Sequence, residues 1–206
     1  GLEPLADALL ANPGLDPQAE AEKYFNEEHK ITTAKDALEG AKYILMERFA
    51  EDADLLAKLR ERLSDEAHVF SKVMTGKEEE GAKYRDYFEY DELLKKVPSH
   101  RALAIFRGRN EGILSIEVDL KLDEDQAGKR HPLELVVGKH HKIEHQGRAA
   151  DEWLEEVVRW TWRVKLRPHL ETDLLGELRE RAEEDAIQVF ASNLKDLLLA
   201  APAGPK

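Results

Sequence analysis

Cysteine is absent from all 206 residues. That excludes disulfide frameworks, cysteine-ligated zinc, iron–sulfur clusters and thiol nucleophiles, and it fits a reducing compartment. No apolar run approaches the roughly 20 residues that a membrane-spanning helix needs. The opening, Gly1-Leu2-Glu3-Pro4, has neither the basic flank nor the apolar core of a signal peptide. A cytoplasmic chain without membrane contact is the expectation. Glycine-rich phosphate loops of the P-loop or dinucleotide kind are missing as well, and the adjacency of Ser99 and His100 does not set a hydroxyl on an imidazole as a triad requires. The acidic runs Asp123-Glu124-Asp125 and Glu183-Glu184-Asp185 read as solvated faces rather than paired acid and base groups. No catalytic residue, no cofactor and no enzymatic activity are expected.

What is present is charge and enough apolar material to fold. Asp and Glu number 43 against 31 Lys and Arg, a formal net charge of −12. Six Phe, five Tyr and three Trp argue against a disordered acidic tail. A chain of this size forms one domain, or one with a small appendage, and removes roughly 70% of its unfolded surface from water.

The dominant period is 3.6. A short helix is predicted near Leu5 to Leu10, then one opened by Asp16-Pro17 and running through Phe25, because a capping carboxylate precedes a proline whose missing N–H is harmless in a first turn. Thr33 with Asp36 opens the next, carrying Leu38, Ala41, Leu45 and Phe49 on one face. Leu55, Leu56, Leu59 and Leu63 continue the period, and Ser64 is read as the cap of a further helical turn with Ala67, Phe70 and Val73. The stretch Gly76 to Gly81 is a solvated loop, and the ring-rich Tyr84 to Tyr90 has no clean period. Pro98-Ser99 starts a short helix with Ala102, Leu103, Ile105 and Phe106, ended by Asn110-Glu111-Gly112.

From Leu114 to Leu122 apolar and polar residues alternate, the one strong strand signal. Its mate is open: Leu133 to Val137 reads equally as a strand or as a helix opened by Pro132, and a partner from a neighbouring domain is a third solution. In the last third, Ala150, Trp153, Leu154, Val157 and Val158 mark a helix that Pro168 is expected to break. Thr172 then begins a long second one through Leu197. The expected fold is mainly α, an irregular multi-helix domain with one short β element. Its parts are residues 1–95, 96–146, 147–200 with two long helices, and a Pro-rich linker at 201–206.

Taken in four blocks along the chain, only residues 101–150 are not acidic. Lys95, Lys96, Arg101, Arg107 and Arg109 fall between Glu92 and Glu111 without an intervening carboxylate, and Arg159-Trp160-Thr161-Trp162-Arg163 combines cations with indoles. Closely spaced cations meet successive phosphates, and indoles stack on bases. The plainer alternative is that the cations complement a helix dipole while Trp153 and Trp160, seven apart, are core. His140, His141 and His145 with Glu144 have metal-like letters, since a helix would place 141 and 145 on one face. Without a cysteine or an assignable distant carboxylate they read as a surface histidine patch, with no metal.

Two long strings carry a resemblance: Gly76-Lys77-Glu78-Glu79-Glu80-Gly81-Ala82-Lys83-Tyr84-Arg85-Asp86-Tyr87-Phe88, and Pro98-Ser99-His100-Arg101-Ala102-Leu103-Ala104-Ile105-Phe106-Arg107-Gly108-Arg109-Asn110-Glu111-Gly112. With Gln146 to Asp151, Arg159 to Trp162 and Leu197 to Pro205, they resemble the N-terminal helical region of the Tex family of bacterial transcription accessory proteins, over almost the whole chain. The resemblance implies a helical region of helix-turn-helix character ahead of a ribonuclease-H-like YqgF domain, helix-hairpin-helix elements and a C-terminal OB-fold RNA-binding domain. It implies nucleic acid, RNA or DNA, as the partner of the full-length protein, bound mainly through those further modules, and transcription machinery as a second partner. No catalytic residue of the family maps into this segment. The resulting expectation is a scaffold and interaction region, with Arg101, Arg107 and Arg109 as phosphate contacts, Lys95 and Lys96 beside them, and Arg159 and Arg163 second. The alternative is a module that docks other proteins of the transcription or translation machinery without touching nucleic acid.

Overall fold

A computed structural model describes residues 1–200 and 202. Of the expected linker 201–206, only Pro202 falls among these, and it is exposed. The chain is mainly helical and divides into two compact units, each built from two separate stretches of sequence: residues 1–61 with 122–170, and residues 62–121 with 171–206.

The first unit packs on one central helix. α1 (Glu3–Ala11), α2 (Pro17–Glu22) and α7 (Asp151–Trp160) lie against α3 (Ala34–Ala50). The predicted caps form: Asp16 accepts from the Gln18 N–H, and Thr33 Oγ1 accepts from the Asp36 N–H at 3.1 Å. α2 stops at Glu22, three residues short of the expected Phe25. α3 buries Leu38, Ala41, Leu45 and Phe49, as its period predicts, and the unit's core continues through Leu55 and Leu59 of α4 (Ala53–Glu66). Pro132 opens α6 (Pro132–His140), so the ambiguous Leu133 to Val137 segment is helix, with Leu133 and Val137 fully buried.

Pro168 does not break the last helix. A π-helical segment, Thr161–Leu166, joins α7 directly to α8 (Arg167–Leu199). Pro168 thus falls in the first turn after the widened segment, where the regular i→i−4 ladder is already interrupted. The Thr161 hydroxyl donates to the Val157 carbonyl at 2.7 Å within the same stretch. The π segment buries Trp162, whereas Trp160 is 39% exposed and Trp153 only half-buried, so the reading of Trp153 and Trp160 as core fails. Adding a residue to one turn rotates the apolar face from 160 to 162.

In the second unit the β element is larger than one strand. β1 (Ala67–Val73) lies between β2 (Glu89–Leu93) and β3 (Leu114–Leu120), antiparallel to both, with Val69 opposite Val118 and Phe70 opposite Asp91. Two expectations are overturned here. Ser64 does not start a further helical turn, and β3 needs no partner from another domain. Ala67, Val69 and Ser71 are buried and alternate with less buried neighbours, a period of two that the coincident 3.6 spacing of Ala67, Phe70 and Val73 hides. Ser71, buried within the sheet, donates to the Tyr87 carbonyl at 2.8 Å. A 3₁₀ turn, Ala82–Tyr87, follows the predicted loop, and α5 (Ser99–Asn110) packs on β3. Gly108 of α5 allows that approach, since a Cβ there would come within 2.4 Å of Leu114 Cδ1.

Candidate functional site

The basic residues singled out in the sequence separate into engaged and available ones. Arg107 and Arg109, two residues apart on α5, point about 200° apart around the helix. The three arginines of α5 therefore do not share one narrow face. Arg101 is exposed and pairs with Glu92 at 3.3 Å, and Glu92 in turn accepts from the Tyr90 hydroxyl. Burial and the Glu92 carboxylate push the Tyr90 phenol above its ordinary range. Lys95 and Lys96 are exposed on a 3₁₀ turn, Leu94–Lys96, and Arg107 is exposed toward the C-terminal end of α5.

Arg109 has a different setting. Its guanidinium carbon lies 5.1 Å from the centroid of the Phe106 ring, and that of Arg179 on α8 lies 4.8 Å from the same centroid. Two cations thus share one aromatic ring, whose face attracts positive charge. Burial and the like charge of Arg179 hold Arg109 below the usual arginine range, and Glu171 offsets them only in part. That carboxylate is also committed elsewhere: its Oε2 accepts from the Val118 N–H of β3 at 3.0 Å. The consequence is two neighbouring cations on a chain that is acidic overall. Arg179 carries no signal in the sequence, because with Arg181 it is interleaved with Glu177, Glu180, Glu183 and Glu184. Its neighbour Arg181 is used internally, donating to the Leu94 and Val97 carbonyls at 3.3 and 3.4 Å.

In the first unit several cations are committed to carboxylates. Glu134, buried on α6, takes Arg130 Nε at 2.8 Å and Arg159 Nε at 3.8 Å. Arg159 is therefore held by a buried carboxylate, while Arg163 is exposed on the π segment. Trp160 faces Lys42 Nζ at 5.6 Å, and that buried ammonium is paired with Glu39 at 2.9 Å and Glu156 at 3.4 Å. Trp162 is buried against His131 and unavailable for base stacking.

The histidine cluster is rearranged. α6 ends at His140 and His141 is its C-terminal cap, so His141 and His145 share no helix face. His140 and His141 instead meet Asp52, a carboxylate 88 residues from His140, with His140 Nε2 at 3.0 Å and His141 Nε2 at 3.9 Å from its Oδ2. The His141 ring stacks on Phe49 at 3.8 Å, and burial lowers its pKa to about 4.

The class the structure defines is a mainly helical chain carrying a small antiparallel sheet. Comparison with known proteins supplies its family. Residues 12–190 match the family described as Tex central region-like, and the chain belongs to it. It is 53% identical over 204 residues to Protein YhgF of Escherichia coli, covering 99% of this chain and 26% of that protein. It is 48% identical over 204 residues to the transcriptional accessory protein Tex of Neisseria gonorrhoeae, again 99% of this chain and 26% of the relative. A human S1 RNA-binding domain-containing protein 1 is 25% identical over 210 residues, 98% of this chain and 20% of that protein. The chain thus spans about a quarter of the length of the relatives it matches.

Proposed function

We propose that this chain is the helical scaffold and interaction region of a Tex-like nucleic-acid-binding transcription accessory protein, and that its own contact with nucleic acid runs through Arg109 and Arg179. The observation that carries the reading is the shared Phe106 ring. It holds two guanidinium groups over one aromatic ring, and a phosphate oxyanion is a ligand that matches such a pair. Arg101 and Arg159 serve the fold through Glu92 and Glu134. The names of relatives support the same direction, one as a transcriptional accessory protein and one as an RNA-binding-domain protein. Catalysis forms no part of the proposal.

The test is anisotropy of a labelled single-stranded RNA titrated with the chain. Arg109→Ala and Arg179→Ala should each weaken binding, whereas Arg159→Ala should leave it unchanged in a protein that stays folded. Equal affinity in all variants, or hydrolysis of the RNA by the chain, overturns the reading.

A second reading is favoured by a separate feature. On α8, Ile187, Phe190, Leu194, Leu197 and Leu198 recur at helical spacing, and all are exposed, Phe190 to 68%. A groove of about 880 Å³ runs beside them, lined by Leu103, Ala186, Val189 and Phe190. Such a stripe suits a protein surface. Retention of a protein partner after nuclease treatment, lost in Phe190→Asp, would favour docking over nucleic-acid contact.

A further inference from the structure

We propose that Asp52, His140 and His141 form a binding site for a divalent transition cation of the zinc class. The three come from two connections of the first unit: Asp52 from the turn between α3 and α4, and the two histidines from the last residue and the cap of α6. One donor atom from each lies within 4.8 Å of the others. Tetrahedral ligands about 2.0–2.1 Å from zinc stand about 3.4 Å from one another. The two measured separations from Asp52 Oδ2, 3.0 Å to His140 Nε2 and 3.9 Å to His141 Nε2, bracket that value.

His141 supplies the independent observation. Its Nε2 is buried and has no hydrogen-bond partner, although buried ring nitrogens nearly always have one. The nearest acceptor, Asp52 Oδ2 at 3.9 Å, is too far for a hydrogen bond but well placed to share an ion with it. The Phe49 ring, stacked at 14° to the imidazole, holds that orientation. Asp52 is held too: its Oδ1 accepts from the Leu55 N–H at 3.1 Å, which caps α4 and leaves Oδ2 turned to the histidines. Such outer partners fix the direction of a ligand. Two imidazoles and one carboxylate are a borderline donor set that suits zinc, cobalt or nickel rather than magnesium or calcium, and water completes a fourth position. His145 and Glu144 do not enter the site, and His145 Nδ1 accepts from the Gly147 N–H instead.

One residue opposes the ion. Lys58 Nζ lies 3.1 Å from His140 Nδ1. While an ammonium donates there, the ring's proton sits on Nε2 and is given to Asp52, so the lone pair that a metal needs is occupied. Lys58 is exposed and free to turn away, which makes it an antagonist of metal binding.

The test titrates the chelator-treated chain with zinc chloride by calorimetry, then with cobalt(II), whose visible absorption reports tetrahedral nitrogen and oxygen ligands. One site is expected per chain. Asp52→Asn and His141→Ala should weaken it by more than the about 100-fold that is the upper end of what loss of an outer-shell partner costs. Lys58→Ala should tighten it. His140→Gln, at a ring that is partly exposed, provides a second ligand variant should His141→Ala not fold, with far-ultraviolet circular dichroism as the check. Absence of saturable zinc uptake, uptake undiminished in the ligand variants, or weaker uptake by Lys58→Ala overturns the site.

Discussion

Asp151 opens α7 with its carboxylate buried, taking the Gln146 N–H at 2.7 Å and the Arg148 N–H at 2.9 Å on Oδ2, and Arg148 Nε at 3.1 Å on Oδ1. Burial alone would raise its pKa, but the two backbone donors and the guanidinium outweigh it and hold the group below the usual aspartate range. A carboxylate depressed in the folded state stabilises the protein above its unfolded pKa of about 3.9, and that contribution fades as pH falls through the lower folded value. Asp151→Ala should cost about 1–3 kcal/mol in urea denaturation at pH 7, because the N–H groups lose their acceptor. The difference from wild type should shrink at the most acidic pH at which both remain folded. Gly108→Ala tests packing instead. Its new methyl group would meet Leu114 Cδ1 at 2.4 Å and Cγ at 2.8 Å, and it should destabilise by about 1–3 kcal/mol in the same assay.

At the scale of elements, the sheet makes a direct prediction. Because β3 is paired along its whole length with β1, the amides of Leu114 to Leu120 that bond across to β1 should be firmly protected from hydrogen exchange in this chain alone. Rapid exchange across β3 would mean that the pairing does not form. β3 itself was legible in the sequence, since its alternation runs over nine residues without a competing period. β1 was not, because Ala67, Phe70 and Val73 also fit a helix and follow α4 without a glycine or proline to mark the change. The helices were legible wherever a cap and an apolar face agreed, as at Thr33 with Leu38, Ala41, Leu45 and Phe49. Pro168 misled because a π-helical segment is a property of the whole turn rather than of any residue type. The site was legible in part: Arg109 was visible as a cation, but Arg179 and Asp52 reach their partners only through tertiary packing, across gaps in sequence that no short motif spans.

On the scale of the whole molecule, a net charge of −12 opposes any polyanion at long range. Contact with RNA must then arise from a local excess of positive charge, and it must be salt-sensitive. No helix among the described residues is long and apolar enough to cross a membrane. The arginine pair and the exposed stripe on α8 predict different salt responses for the two partners: salt weakens a phosphate contact and leaves apolar docking nearly unchanged. The measurement that bears most directly on the proposed function is therefore the slope of log affinity against log salt for single-stranded RNA, taken for wild type and for the double variant Arg109→Ala/Arg179→Ala. If each arginine neutralises one phosphate, the slope should fall by about 1.4 in the double variant. An identical slope in both proteins would contradict the assignment of that pair to nucleic acid.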